Sequence, residues 1–323
     1  MAARDDQARG EQGVRIGLSA VVIALRDRKA CVLTTPGDAL PGETPAAALP
    51  FGPFDPARDR TFELALRAFV TAQTGFRLGF VEQLYTFGDL GRASPRATPG
   101  PERRREVSVG YLALTADAAE APLAEARWTP VLDIFPWEDR RDGAPPCVAP
   151  LIAGLTAWAG EDARRHARIE TLFAPAPAQR WNEGRVLERY ELLYEAGLVA
   201  EAARDQDRSL PPAAPGRAMA SDHRRILATG LGRLRSKLKY RPVLFDLMPQ
   251  TFTLSELQVA AEAIAGLSLH KQNFRRGVER TGLVRATGRL SPATGGRPAE
   301  LFCVADGDLA TGEALGLPLP AQR

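Results

Sequence analysis

The sequence predicts an α+β protein made of an N-terminal mixed α/β unit, a helical insertion and a C-terminal helix-turn-helix that carries a β-hairpin. Three observations support this. β-rich runs surround one strongly marked helix as far as residue 114, helical spacing takes over from about 148 to 203, and a capped helix pair followed by a hairpin begins at Thr253. A chain of 323 residues has room for two cores, and 45% hydrophobic with 25% charged residues is usual for globular proteins.

Composition also excludes several classes. No apolar run approaches the roughly 20 residues of a membrane span. Residues 1–13 are polar, without the apolar stretch of a secretory signal. Cys31, Cys147 and Cys303 are scattered and odd in number, and none of His166, His223 and His270 is spaced to join them. The expectation is therefore a reducing, cytoplasmic setting with no disulfide framework, no metal site and no cofactor.

Taken in order, 1–14 reads as a disordered leader. Residues 16–25 and 30–35 form a hairpin across the polar turn 26–29, and a Pro/Gly-rich loop covers 36–56. A helix spans 60–74, with Gly75 at the position that usually follows a helix end. Strands at 80–87 and 107–114 flank an Arg/Pro/Gly-rich loop. The first unit is thus placed at 15–140. Helical segments at 152–159, 162–172 and 183–203 fall in an insertion and linker at 141–216. Within it Trp181, Val186, Tyr190, Leu193 and Tyr194 recur at helical spacing, a pattern of core packing, with a dimer surface or a pocket wall as alternatives. A second unit at 217–304 and a flexible tail at 305–323 complete the chain.

In the second unit, Thr253 and Glu256 form a capping box, and Phe252 can staple onto Leu257. Leu254, Leu257, Ala261 and Ile264 give that helix an apolar stripe ending at Gly266. Ser268 is expected to cap the next helix after a short turn, which makes a helix-turn-helix. At 100° per residue Phe274 and Val278 face inward, while Gln272, Arg276 and Glu279 point away, flanked by Asn273, Arg275 and Arg280. Such donors suit base edges and phosphates. Segments 283–289 and 297–304 form a hairpin around a glycine-rich tip, with Arg289 and Arg297 at its base: a wing. Between Arg224 and Arg297, fourteen basic residues face four acids, a net of +10 in a chain of net +3. Charge of that density points to a polyanionic partner, with a solvated basic surface as the alternative; taken with the capping box, the short turn, the polar outward face and the wing, it points to double-stranded DNA.

In the first unit, Leu49-Pro50-Phe51-Gly52 and the helix ending Ala72-Gln73-Thr74-Gly75-Phe76 resemble a Nudix box, whose glutamates gather divalent metal on a diphosphate. Aligned on Gly75, those glutamates and their arginine neighbour fall on Ala68, Phe69, Ala72 and Gln73. No metal-binding carboxylate stands at these positions, so the unit is not expected to be an enzyme.

Glu82-Gln83-Leu84-Tyr85-Thr86-Phe87-Gly88-Asp89, Val107–Leu114 and Trp128-Thr129-Pro130 are similar to the Nudix-related transcriptional regulators of NrtR type. So are Arg233-Leu234-Arg235, Lys239-Tyr240, Phe252 to Leu257, Asn273-Phe274-Arg275-Arg276 and Gly296-Arg297-Pro298-Ala299. The resemblance implies a Nudix-like α/β sandwich, a C-terminal winged helix-turn-helix and a homodimer on a palindromic operator. It also implies a repressor of NAD biosynthesis or salvage genes, released by an ADP-ribose-type effector. It assigns DNA contact to Lys271, Gln272, Asn273, Arg275, Arg276 and Arg297, beside Arg280 and Arg289 from the wheel and the wing. Arg92 and Arg96 are the candidate phosphate ligands. The insertion departs from the family, which has a short connection there. The alternative readings are a Nudix hydrolase of ADP-ribose or a related nucleoside diphosphate derivative, and an adaptor whose winged helix has lost DNA.

Overall fold

The computed structural model describes residues 14–37, 46–89, 105–116, 125–175, 180–206, 208–209, 214–291 and 298–305. Strands β1 (Val14–Arg26) and β2 (Lys29–Pro36) form the expected hairpin. Its turn holds Asp27 and Arg28 at φ 48 and 63, the left-handed pair that a two-residue turn requires. Strands β3 (Ala47–Ala48), β4 (Phe51–Pro53), β5 (Val81–Phe87), β6 (Arg105–Leu114) and β7 (Arg127–Pro130) complete the sheet. Its order is β3-β2-β1-β6-β5, with β4 on β1 and β7 on β2, and only β1–β6 is parallel.

Both faces of this sheet are covered, which explains why Leu18 to Ala24 are buried without interruption. Leu18, Ala20 and Val22 share a core with Ala65, Leu66 and Val70 of α1 (Phe62–Thr74). The alternate residues Val21 and Ile23 join Ile226, Leu227, Leu231 and Leu234 of α7 (His223–Leu238) in the larger core. The helix approaches closely: a Cβ on Gly230 would stand 3.0 Å from Val21. The result is the expected α/β sandwich. Although α7 lies inside 217–304, it packs on β1, β5 and β6 as well as on α8 (Leu254–Ala265), so packing is continuous across residues 216 and 217.

The insertion also enters the larger core, which extends on to Leu257, Ile264, Phe274 and Val278. After α2 (Val131–Ile134) come α3 (Val148–Ala159), α4 (Ala163–Phe173), α5 (Val186–Glu195) and α6 (Ala200–Asp205). Val186, Tyr190 and Leu193 are fully buried, so the centre of the aromatic-aliphatic stripe is core packing, while Trp181, which precedes α5, and Tyr194 are partly buried. The single helix expected over 183–203 is in fact two. Gly197 adopts φ 74 and its N–H bonds to the Tyr194 carbonyl at 3.0 Å, which turns the chain out of the helix.

Buried ion pairs join these layers. Glu138 has no exposed surface and accepts from Arg189 of α5 at 2.6 and 2.8 Å and from Arg235 of α7 at 2.5 Å. Burial alone would raise its carboxyl, but the two guanidinium charges more than reverse this and hold it below the usual carboxylate range. Trp181 lies between the guanidinium groups of Arg140 and Arg189, 3.9 and 3.8 Å from its ring centre. A second buried pair, Arg224 with Glu201 at 3.1 Å, ties α7 to α6.

His223 fastens α7 to the loop before β4. Its Nδ1 accepts the Leu49 N–H at 3.0 Å, and Phe51 packs edge-on with ring centres 5.0 Å apart. Burial, with Arg204 adding to it, pushes the imidazole down to about 4. The ring is therefore neutral when folded, whereas the unfolded chain takes up a proton near pH 6.5. Its stabilisation is complete above that pH and is lost as pH falls toward the folded value, on the order of 3 kcal/mol in all. Denaturant titrations are expected to show stability falling between pH 6.5 and 5, above the range of ordinary carboxylates. His223→Gln should remove that slope, and an unchanged slope would contradict the assignment.

Candidate nucleic-acid interface

The C-terminal helix pair is α8 (Leu254–Ala265) and α9 (Lys271–Thr281). Thr253 and Glu256 form the complete capping box, and Gly266 closes α8 at φ 68. Strands β8 (Val284–Leu290) and β9 (Glu300–Val304) follow as an antiparallel pair. Phe252 and Phe302 exchange backbone hydrogen bonds at 3.0 and 2.7 Å, which seats this hairpin against the start of α8. Gly288, at φ 72, lies within the register shift between Ala286 and Leu290. This is a winged helix-turn-helix.

One expectation fails locally. Ser268 does not cap α9. The N-cap is His270, without a side-chain cap bond, and the Ser268 hydroxyl instead donates to the Arg141 carbonyl at 2.7 Å. The turn needs two more residues because Leu269 must be buried before the helix begins, and its N–H is taken by Glu262 at 2.9 Å.

Helix α9 presents the outward face that its wheel predicts. Phe274, Gly277 and Val278 are buried, while Lys271, Gln272, Asn273, Arg275, Arg276, Glu279 and Arg280 are exposed. Four cations meet one carboxylate on this helix, and Arg289 stands exposed on β8. Arg297 lies outside the described residues, as do Arg92 and Arg96.

The basic count, however, overstated the free charge. Arg224 and Arg235 are fully buried in ion pairs, and Lys237 is buried against Glu82. Arg225 pairs with Asp89, Glu191 and Asp222, and Lys239 with Glu183 at 2.7 Å. Four of the five α7 cations are thus paired with acids of the chain, Arg233 keeping an exposed side chain 3.9 Å from Glu82, while α9 and Arg289 present their charge outward. Composition could not separate the two groups because pairing depends on acids far away in sequence.

In the sandwich, the positions that align with the Nudix box make packing contacts. Gln73 brackets Phe51, accepting its N–H at 3.2 Å and donating to its carbonyl at 2.6 Å. The Phe69 ring lies over Gly52, where a Cβ would come within 3.0 Å of it. Ala68 and Ala72 are exposed. These contacts hold α1 to β4. Among the described residues, no group of three or more His, Cys, Asp or Glu side chains is placed to hold a metal ion.

A sandwich of Nudix-like fold carrying a winged helix defines the class: a two-part protein with an α/β sandwich and a helix-turn-helix head. Residues 244–304 match the NrtR DNA-binding winged helix domain family. The ADPR responsive transcriptional repressor NtrR of Acinetobacter baylyi is 40% identical over 84 residues, 26% of this chain. That match spans 33% of the relative's own length. Shewanella oneidensis NrtR complexed with a 27mer DNA has a TM-score of 0.55 at 20% identity, covering 94% of this chain and 97% of that one. A MutT/nudix family protein from Enterococcus faecalis has a TM-score of 0.50 at 14% identity, covering 90% and 86%. The structural likenesses establish the fold over nearly the whole chain. Over residues 244–304 the family match bears out the NrtR-type resemblance read from the sequence. Among the described residues, no helix is long and apolar enough to cross a membrane.

Gln73→Ala removes both bonds to Phe51 and leaves two part-buried backbone groups unmatched. We expect a loss of roughly 1–3 kcal/mol in denaturant unfolding. Wild-type stability in this variant would show that the Gln73–Phe51 bracket does not hold α1 to β4.

Proposed function

We propose that this chain is a ligand-responsive, DNA-binding transcriptional repressor of NAD biosynthesis or salvage genes. Its Nudix-like unit senses an ADP-ribose-type metabolite, and a homodimer places two winged helices on a palindromic operator. The observation that carries this reading is the exposed donor-rich face of α9, set by the buried pair Phe274 and Val278. Arg275 and Arg276 can fork onto guanine or phosphate, Asn273 and Gln272 onto adenine, and Lys271, Arg280, Arg289 and Arg297 neutralise backbone charge. The match of 244–304 to a DNA-binding winged helix domain supports this assignment. The name of the Acinetobacter relative, an ADPR responsive repressor, supports the effector class.

A sensing role without hydrolysis is supported by the occupants of the box. Phe69 and Gln73 are committed to β4, and Ala68 and Ala72 offer no oxygen ligand, so a diphosphate would be bound there without the metal that activates water. Arg92 and Arg96 are proposed to take the phosphates of the effector.

Duplex binding is expected to weaken steeply with salt, in proportion to the phosphates neutralised. Arg275→Ala/Arg276→Ala should weaken it by at least about tenfold, the scale of one lost bidentate base contact. Full affinity in this folded variant, measured by fluorescence anisotropy, would remove α9 as the reading helix.

ADP-ribose is expected to release the duplex from the wild-type chain and to be recovered intact after incubation with magnesium. Metal-dependent AMP release by protein of proven purity would establish the hydrolase instead.

A further inference from the structure

Residues 138–141 follow directly on the sheet through β7 and α2, yet they are bonded to the turn of the helix-turn-helix. The Arg140 N–H donates to the Gly266 carbonyl at 2.7 Å, and the Arg141 carbonyl accepts the Ser268 hydroxyl at 2.7 Å. The contact is close, since a Cβ on Gly266 would stand 2.3 Å from the Glu138 carbonyl oxygen. The side chains repeat the connection. Arg235 donates Nε to the Ile264 carbonyl in the last turn of α8 at 2.8 Å, and Nη1 to Glu138 at 2.5 Å and the Glu183 carbonyl at 3.1 Å. Arg189 closes the other side of Glu138, and it also holds the Asn182 carbonyl at 2.9 Å.

One carboxylate therefore joins the sheet, the insertion and the head. The same few residues set the direction in which α9 leaves the turn. Buried charges of this kind do not give way by degrees: withdrawing one arginine leaves an uncompensated charge, so the group moves as a body or changes partners. Beside it, an open cleft of about 320 Å³ is lined by Lys29, Asp133, Asp139, Arg141 and Ala263, so this side of the segment is not packed solid.

We propose that Glu138, with Arg189 and Arg235, is the positioning group that couples the ligand domain to the recognition helix. Segment 138–141 transmits movement of the sheet edge at β7 to the turn at Gly266–Ser268. The inference rests on the ligand-responsive reading above and assigns residues to its regulation. Glu138 touches neither DNA nor effector; it acts through the placement of α9.

The test uses the full chain and the duplex that the wild type most enriches from a random-sequence pool. Its Kd is measured with and without saturating ADP-ribose for the wild type, Glu138→Gln and Ser268→Ala. The ratio of the two values is the readout, since a purely structural role would change affinities without changing their ratio. Couplings of this type run at about 5–150-fold. Ser268→Ala, at an exposed site, should keep the effector-free Kd within about threefold and lower the ratio by about threefold or more. Glu138→Gln, if folded, should bring the ratio close to one. Should Glu138→Gln not fold, Ser268→Ala decides alone. Wild-type ratios in the folded variants would overturn the proposal.

If ADP-ribose leaves wild-type binding unchanged, the sensing reading fails, and the coupling is decided by hydrogen exchange with saturating duplex. Coupling is reciprocal, so DNA should slow the amides of 138–141 and 183–189 in the wild type and less so in Ser268→Ala. Unchanged exchange there in the wild type would overturn the coupling. A wild-type chain that enriches no duplex would overturn the regulator reading and this inference together.

Discussion

A carboxylate with no solvent contact has to find all its compensation in protein, and Glu138 finds it in two arginines from different helices. Most of the architecture follows from satisfying that charge. Helix α5 must pass where Arg189 can fork onto both carboxylate oxygens, and α7 where Arg235 can reach Glu138 and the end of α8 together. Because each arginine also takes backbone carbonyls, the three layers cannot shift separately without leaving buried donors or acceptors unmatched. The geometry of the head relative to the sheet is thus fixed by hydrogen bonds rather than by the length of a linker.

Helix α7 is the spine of this arrangement. One side lies on the sheet, through Gly230 against Val21, and its buried cations bind acids contributed by β5, α2's successor segment and α6. This accounts for a composition that is basic overall without being uniformly exposed. The positive charge of α7 serves cohesion, while that of α9 faces outward over the Phe274–Val278 stripe. The two helices look alike in a charge count and do opposite things, and the acid partners make the difference.

In the sandwich, the segment that aligns with a Nudix box packs α1 onto β4. A metal site places several carboxylates in one small volume, and their repulsion is tolerated only with the ion present. With Phe69 over Gly52 and Gln73 bonded to Phe51, that region becomes ordinary packing, and α1 is held to β4 by a ring and an amide. The loop before β4 is secured in turn by neutral His223, which ties it to the start of α7.

Much of the fold was legible because its signals are local. The capping box at Thr253, Gly75 and Gly282 past their helices, the 3.6-residue stripe on α9 and the hairpins depend on neighbours in sequence. What misled was local reasoning carried too far: Ser268 has a cap's chemistry but bonds to Arg141, and Gly197 breaks a run that reads as one helix. The winged helix and its outward donors on α9 were thus determined by the sequence alone, through periodicity and capping. That Arg189, Arg224 and Arg235 are interior was decided by tertiary structure, because their partners lie 51, 23 and 97 residues away and no local pattern encodes a charge pair at that range.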